Sequence, residues 1–202
     1  MPAAARFPDR LRLPLDFAPD PLAADLANLS AVPWTAHFVS QNYDGDWSVI
    51  PLKAPAGARH PVQMIYSDPA CTDFVDTPFL AASPGFQAVL AAFACPLRAV
   101  RLMRLSAGSR IKEHRDHDLS FEDGTVRIHI PVTTNEEVDF RLNGRRCPMP
   151  AGSAWYLRLS DPHSVANLGA SDRVHMVIDA AVNDWVAALF ERAADAGGGG
   201  TA

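Results

Sequence analysis

No apolar run in this 202-residue chain approaches the ~20 residues that a membrane-spanning helix needs. The opening Met1-Pro2-Ala3-Ala4-Ala5-Arg6 lacks the apolar stretch of a signal peptide, so the expected location is the cytoplasm. Cysteine is scarce: Cys71, Cys95 and Cys147 are odd in number and far apart. That excludes a disulfide framework, fits a reducing compartment, and leaves no C-x-x-C for structural zinc. Positive charge is not in excess either. The net charge of −5 gives no general attraction for nucleic acid or an anionic membrane. A G-x-S-x-G elbow is missing, which leaves a serine hydrolase unsupported. There is no internal repeat and no domain linker.

Hydrophobic residues make up 48% of the chain, the normal globular range. Residues 1–20, rich in Pro and Arg, read as an irregular arm. Pro21–Leu29 has a helical pattern, with Asp20 as N-cap and Pro21 at N1. Residues 33–52 suggest two strands around a turn at Asp44-Gly45-Asp46, and Gly85–Ala94 a short apolar helix. Beyond Ala99 the texture changes. Short segments such as AVRLMRL, TVRIHIPV, VDFRL, SAWYLRL and DRVHMVID alternate with Gly, Pro, Asn and Asp, as in a sandwich or jelly roll. In two of them Arg127 and His129, and Arg173 and His175, fall opposite a face of Val, Ile and Met. Solvent would explain a polar face, but Lys, Glu or Thr would be its usual occupants. Arg and His fit better the inside of a barrel that holds a polar ligand.

The tripeptide His114-Arg115-Asp116, answered by His163 and then by Arg173, is where the chemistry concentrates. Positions i and i+2 of a strand point to one side, so His114 and Asp116 can reach one ion. A distant His163 completes a facial set of two histidines and one carboxylate, whose open positions suit non-haem Fe(II). A charged surface loop is the alternative for KEHRDHD, and a capped turn for Asp161-Pro162-His163-Ser164. Asp118 shares the face of His114 and Asp116 and remains a competing ligand, whereas His117 points away. Ser164–Asn167 and Arg173–Asp179 are expected to pair as a hairpin, bringing His163 and Arg173 together. The planar fork of Arg173 could grip a carboxylate of a bound co-substrate. Asn42, Asp44 and Trp47 suggest a flap over a substrate pocket, although turn chemistry explains Asn and Asp there equally.

With these residues placed, the segment from about Val100 to Asp179 resembles the aspartyl/asparaginyl β-hydroxylase family. The matching stretches are RLMRLSAGSRIKEHRDH, VRIHIPVTTNE, AGSAWYL, DPHSVANLG and DRVHMVID. The likeness is strongest to the branch that hydroxylates free proline at the cis-4 position. The resemblance implies a mainly β fold: a double-stranded β-helix, jelly-roll and cupin-like, with flanking helices. It implies one oxygenase domain over residues 1–196. Within it, residues 1–95 would form N-terminal helices and flap strands, 96–180 the β-helix core and 181–196 a closing helix. Residues 197–202 would be a flexible tail. It also implies Fe(II), 2-oxoglutarate and O2 as cofactors. His114, Asp116 and His163 would be the metal ligands, and Arg173, with Arg127 and His129, the co-substrate contacts. Where peptidyl members carry a serine beside the distal carboxylate, this chain has Met103, so Arg173 needs another helper. The expected activity is hydroxylation of an unactivated C–H in an amino acid, or an amino-acid residue of a peptide, of Asp, Asn or Pro type. A small molecule or peptide is the expected partner. A cupin-like metal enzyme that does not use 2-oxoglutarate, and a non-catalytic ligand-binding barrel, are the competing readings.

Overall fold

A computed structural model describes residues 5–66 and 71–198. Among the described residues, thirteen strands alternate with helices: β1 (Arg10–Asp16), α1 (Pro19–Asn28), β2 (Thr35–Ala36), β3 (Tyr43–Asp44), β4 (Trp47–Pro55), α2 (Pro61–Ile65), β5 (Phe74–Asp76), α3 (Pro78–Ala81) and α4 (Pro84–Ala91). There follow β6 (Leu97–Leu105), β7 (Arg110–His114), β8 (Thr125–Thr133), β9 (Val138–Leu142), β10 (Arg145–Arg146), β11 (Ser153–Leu157), β12 (His163–Asn167), β13 (Arg173–Ala181) and α5 (Asp184–Gly198). They form two antiparallel sheets. The large one runs β1-β11-β8-β13-β6-β4-β2, with β5 on β4, and the small one β10-β9-β12-β7-β3. Mainly β with two facing sheets, this is the expected jelly roll.

Period-two alternation sorts the side chains of the large sheet into two environments. On β8 and β13, Val126, Ile128, Ile130, Val174, Met176 and Ile178 join a core with Phe86 of α4 and Phe190 of α5. That is the outer face, roofed by helices. The opposite face carries Met103, Leu105 and Val177, which pack against Phe140, Leu142 and Val165 of the small sheet. Arg127, His129, Arg173 and His175 lie on this inner face and are all buried. The polar stripes therefore point inward.

Several local expectations need correction. Residues 10–16 are not an irregular arm but a sheet strand. Pro14 is tolerated because β1 is an edge strand and needs fewer ladder donors. Helix α1 begins at Pro19, and its N-cap, Ala18, offers no side chain, so Asp20 lies within the first turn. The Asp44–Asp46 turn does not close a hairpin. It hands the chain from β3 in the small sheet to β4 in the large one. Gly45 makes that passage at φ +93°, and a Cβ there would sit 2.3 Å from Ser109 Oγ. β12 and β13 do not pair either: they belong to different sheets, as the crossover of a jelly roll requires. Residues 181–183 finish β13 and lead into α5, which runs on through Gly198. The rest of the expected tail, 199–202, lies outside the described residues, as do 67–70. Among the described residues, no helix is long and apolar enough to cross a membrane.

Candidate metal centre

Strand pairing in the small sheet sets the centre. His163 opens β12 directly opposite His114, the last residue of β7, and their ring centroids are 4.2 Å apart. Asp116 lies just past the end of β7, where its N–H donates to the Leu159 carbonyl at 2.9 Å. The i, i+2 relation thus survives although the strand stops at His114. One ligand-capable atom from each of His114, Asp116 and His163 lies within 4.8 Å of the others.

Backbone carbonyls orient both imidazoles. His114 Nδ1 donates to the Lys112 carbonyl at 2.8 Å and His163 Nδ1 to the Asp161 carbonyl at 3.0 Å. A carbonyl only accepts, so Nδ1 carries the proton and each Nε2 keeps its lone pair for a metal. Burial, then the neighbouring His114, pushes His163 down to about 4, which keeps it neutral and ligating near neutral pH. Asp116 is half-committed. Its Oδ2 accepts from Arg127 Nη1 at 2.6 Å, while Oδ1 lies 3.7 Å from His114 Nε2. The donor set fits a divalent ion with open positions, the set expected of non-haem iron. His117 and Asp118 line the cavity outside this triplet. Asp118 adopts φ +57°.

Behind the triplet runs a buried ionic chain. Asp179, fully buried, accepts from Arg127 Nε at 2.6 Å, from Arg127 Nη2 at 2.9 Å and also from Arg101 Nη2. Burial alone would lower the Arg127 pKa, but Asp179 and then Asp116 hold it above the ordinary value. Arg101 also donates to the Ile65 carbonyl at 3.3 Å.

Arg173 differs. It is only 2% exposed, yet no carboxylate among the described residues pairs with it. Nη2 donates to His175 Nδ1 at 2.8 Å, the guanidinium lies 5.9 Å from the Phe140 ring centre, and Nε has no partner. Burial pushes its pKa down to about 9, because an unpaired charge is costly away from water. His175, which supplies that acceptor, lies on β13 opposite Met103. His175 Nδ1 also lies 3.3 Å from His129 Nδ1. Burial, then Arg173, pushes His129 well down, and its Nε2 is buried without a partner.

His114, Asp116, His163, Arg127, His129 and Arg173 help to line one cavity of about 670 Å³, with Asp179 and His175 behind them. Asn42 and Trp47 line it as well. Asp44 does not: it is an exposed residue whose carboxylate pairs with Lys112 at 2.9 Å. Sequence reasoning missed His37, Phe38, Tyr66, Arg98 and Arg101, all on the wall. His37 stacks on Trp47, with centroids 3.5 Å apart and planes at 7°, and burial pushes it down to about 3.

A sequence model of the family described as aspartyl/asparaginyl beta-hydroxylase matches residues 22–182. The L-proline cis-4-hydroxylase of Rhizobium meliloti (strain 1021) is 26% identical over 161 residues, or 78% of this chain and 55% of that protein. The chain thus spans about half the length of this curated relative. Among solved structures, HygX from Streptomyces hygroscopicus, with nickel and 2-oxoglutarate bound, aligns over 87% of this chain and 84% of its own. The TM-score is 0.53 at 13% identity. A non-heme monooxygenase, the ThoJ–Ni complex, aligns over 88% and 75%, with a TM-score of 0.50 at 14% identity. At such identities the two structures speak for the fold.

Proposed function

This chain belongs to the aspartyl/asparaginyl β-hydroxylase family, and from that premise we propose that it is an Fe(II)- and 2-oxoglutarate-dependent dioxygenase. It hydroxylates an unactivated C–H of an amino acid or amino-acid residue and releases succinate and CO2. Iron, when bound, supplies O2 activation and the oxidative decarboxylation of 2-oxoglutarate, chemistry that side chains cannot perform. His114, Asp116 and His163 hold the ion. Arg127 fixes the Asp116 carboxylate so that one oxygen stays available. Arg173, steadied by His175, takes the distal carboxylate of the co-substrate, and His129 lies on the same wall for its other end.

The observation that carries this reading is a buried, carboxylate-free Arg173 in the same cavity as a two-histidine, one-carboxylate triplet. A cupin-like metal enzyme without an oxoacid co-substrate has no use for such a guanidinium. The test is substrate-stimulated succinate formation with the metal loaded anaerobically. His163→Ala should abolish it, because two ligands hold the ion poorly. Arg173→Met should raise the 2-oxoglutarate requirement roughly ten- to hundredfold, the worth of a charge-assisted contact. An unchanged requirement in that variant would move the co-substrate elsewhere.

A further inference from the structure

Among the described residues, the cavity wall carries one more arginine, Arg98, with neither a carboxylate nor a carbonyl partner. Arg98 is half-buried and lines the cavity, and no hydrogen bond or ion pair among the described residues engages it. The other cavity arginines are committed. Arg101 and Arg127 share Asp179, Arg127 also holds Asp116, and Arg115 donates to the Ser160 carbonyl at 3.1 Å. Arg173 is the deep cation that the oxoacid uses. Arg98 reaches the cavity through an irregularity in β6. Against β13, Val100 faces Ile178 while Leu97 faces Ala180, so β6 carries one extra residue there. That bulge re-aims the chain and lets Arg98 and Arg101, three apart, both face inward.

Aromatic rings line another part of the same wall. Phe38 stacks on His37 at 4.7 Å and 19°, His37 stacks on Trp47, and Tyr66 meets Phe38 edge-on at 5.5 Å. Phe38 is 42% exposed and Tyr66 44%, among the most exposed large apolar side chains of the described residues. Such a half-exposed ledge inside a concavity suits an apolar or ring-bearing ligand body. At about 670 Å³ the cavity matches the roughly 300–1,000 Å³ of sites that bury drug-sized ligands. It has room for an oxoacid and a substrate larger than a single small amino acid.

We propose that Arg98 and the Phe38–Tyr66 ledge form the substrate subsite, and that the substrate is an amino-acid derivative with a free carboxylate and an apolar or ring-bearing extension. Arg98 takes the carboxylate and the ledge takes the extension. This rests on the oxygenase reading for Arg173 being reserved to the co-substrate, and it excludes internal residues of a peptide, which have no α-carboxylate.

The test is binding rather than turnover. Proline, N-benzoylproline and the amide of each are titrated into the full chain with saturating 2-oxoglutarate, in the absence of O2, and followed by tryptophan fluorescence. Each acid should bind roughly ten- to hundredfold tighter than its amide. The benzoyl compound should bind more tightly than proline. Arg98→Gln should erase the acid-over-amide ratio and Arg98→Lys should keep part of it, while Tyr66→Ala should reduce the benzoyl gain. The ratio is internal to each protein, so a general loss of fold cannot imitate its selective loss. Equal binding of acid and amide, a ratio that survives Arg98→Gln, or acids that displace 2-oxoglutarate would overturn the proposal. The oxygenase reading fails separately, if 2-oxoglutarate binding is absent or indifferent to Arg173→Met while the acids still bind through Arg98.

Discussion

His175 shows how one imidazole can set the reach of another side chain. It accepts from Arg173 Nη2 at 2.8 Å, and both side chains are buried, so it holds the guanidinium in one rotamer. His175→Leu removes that acceptor and should weaken 2-oxoglutarate binding roughly tenfold, while metal affinity stays as it was. His175→Asn, which restores an acceptor, should recover part of the loss. Calorimetric titration of the co-substrate and of the metal, run separately, checks both halves. The sequence could announce Arg173, His114 and His163 because their chemistry is carried by residue type and order. It could not announce His175 as the helper. That role depends on β13 and β8 lying side by side, with His129 and His175 turned to the same face. His37, Phe38, Tyr66 and Arg98 were illegible for a similar reason: strand pairing and a bulge bring them to one wall, and no local pattern marks them.

Among the elements, β8 and β13 are tied by charge as well as by their ladder. Asp179 lies opposite Arg127 in register and neutralises Arg101 from β6 on the other side. Removing one member of a buried ionic set leaves uncompensated charge and costs about 3–5 kcal/mol. Asp179→Asn should therefore lower unfolding stability on that scale in urea melts. It should also weaken metal binding, because Arg127 loses the anchor that aims it at Asp116. Much of this level was readable. The alternation in TVRIHIPV and DRVHMVID placed the polar residues on one face, and the inward direction followed from their being Arg and His. Strand β1 was not read, although Leu11, Leu13 and Leu15 alternate. Its Pro and Arg content resembles a loop, and only its edge position makes Pro14 acceptable.

For the whole molecule, the neutral imidazoles make stability depend on pH. His37 and His163 are pushed down to about 3 and about 4, with burial the largest cause in each. In the unfolded chain a histidine titrates near 6.5. Between those values the unfolded form binds protons that the folded form refuses, so stability holds above about 6.5 and is lost as pH falls toward about 4. The metal-free protein should lose roughly 1–2 kcal/mol per histidine between pH 7 and pH 5. His37→Phe, which keeps the stack on Trp47, should flatten the slope, and urea melts across that range give the measurement. The jelly roll itself was legible from the rhythm of short strands. Which strands join which sheet was not, because β12 and β13 are neighbours in sequence and part company only when the two sheets form.

The route from His114 to Arg127 crosses from one sheet to the other. The two imidazoles sit on adjoining strands of the small sheet, and Asp116, just beyond, reaches over to β8 in the large one. An ion held by all three would therefore act as a rivet through both leaves of the sandwich. Loading a metal should therefore tie the two leaves more firmly to each other, and a chelator should remove that tie while leaving either hydrophobic layer as it was.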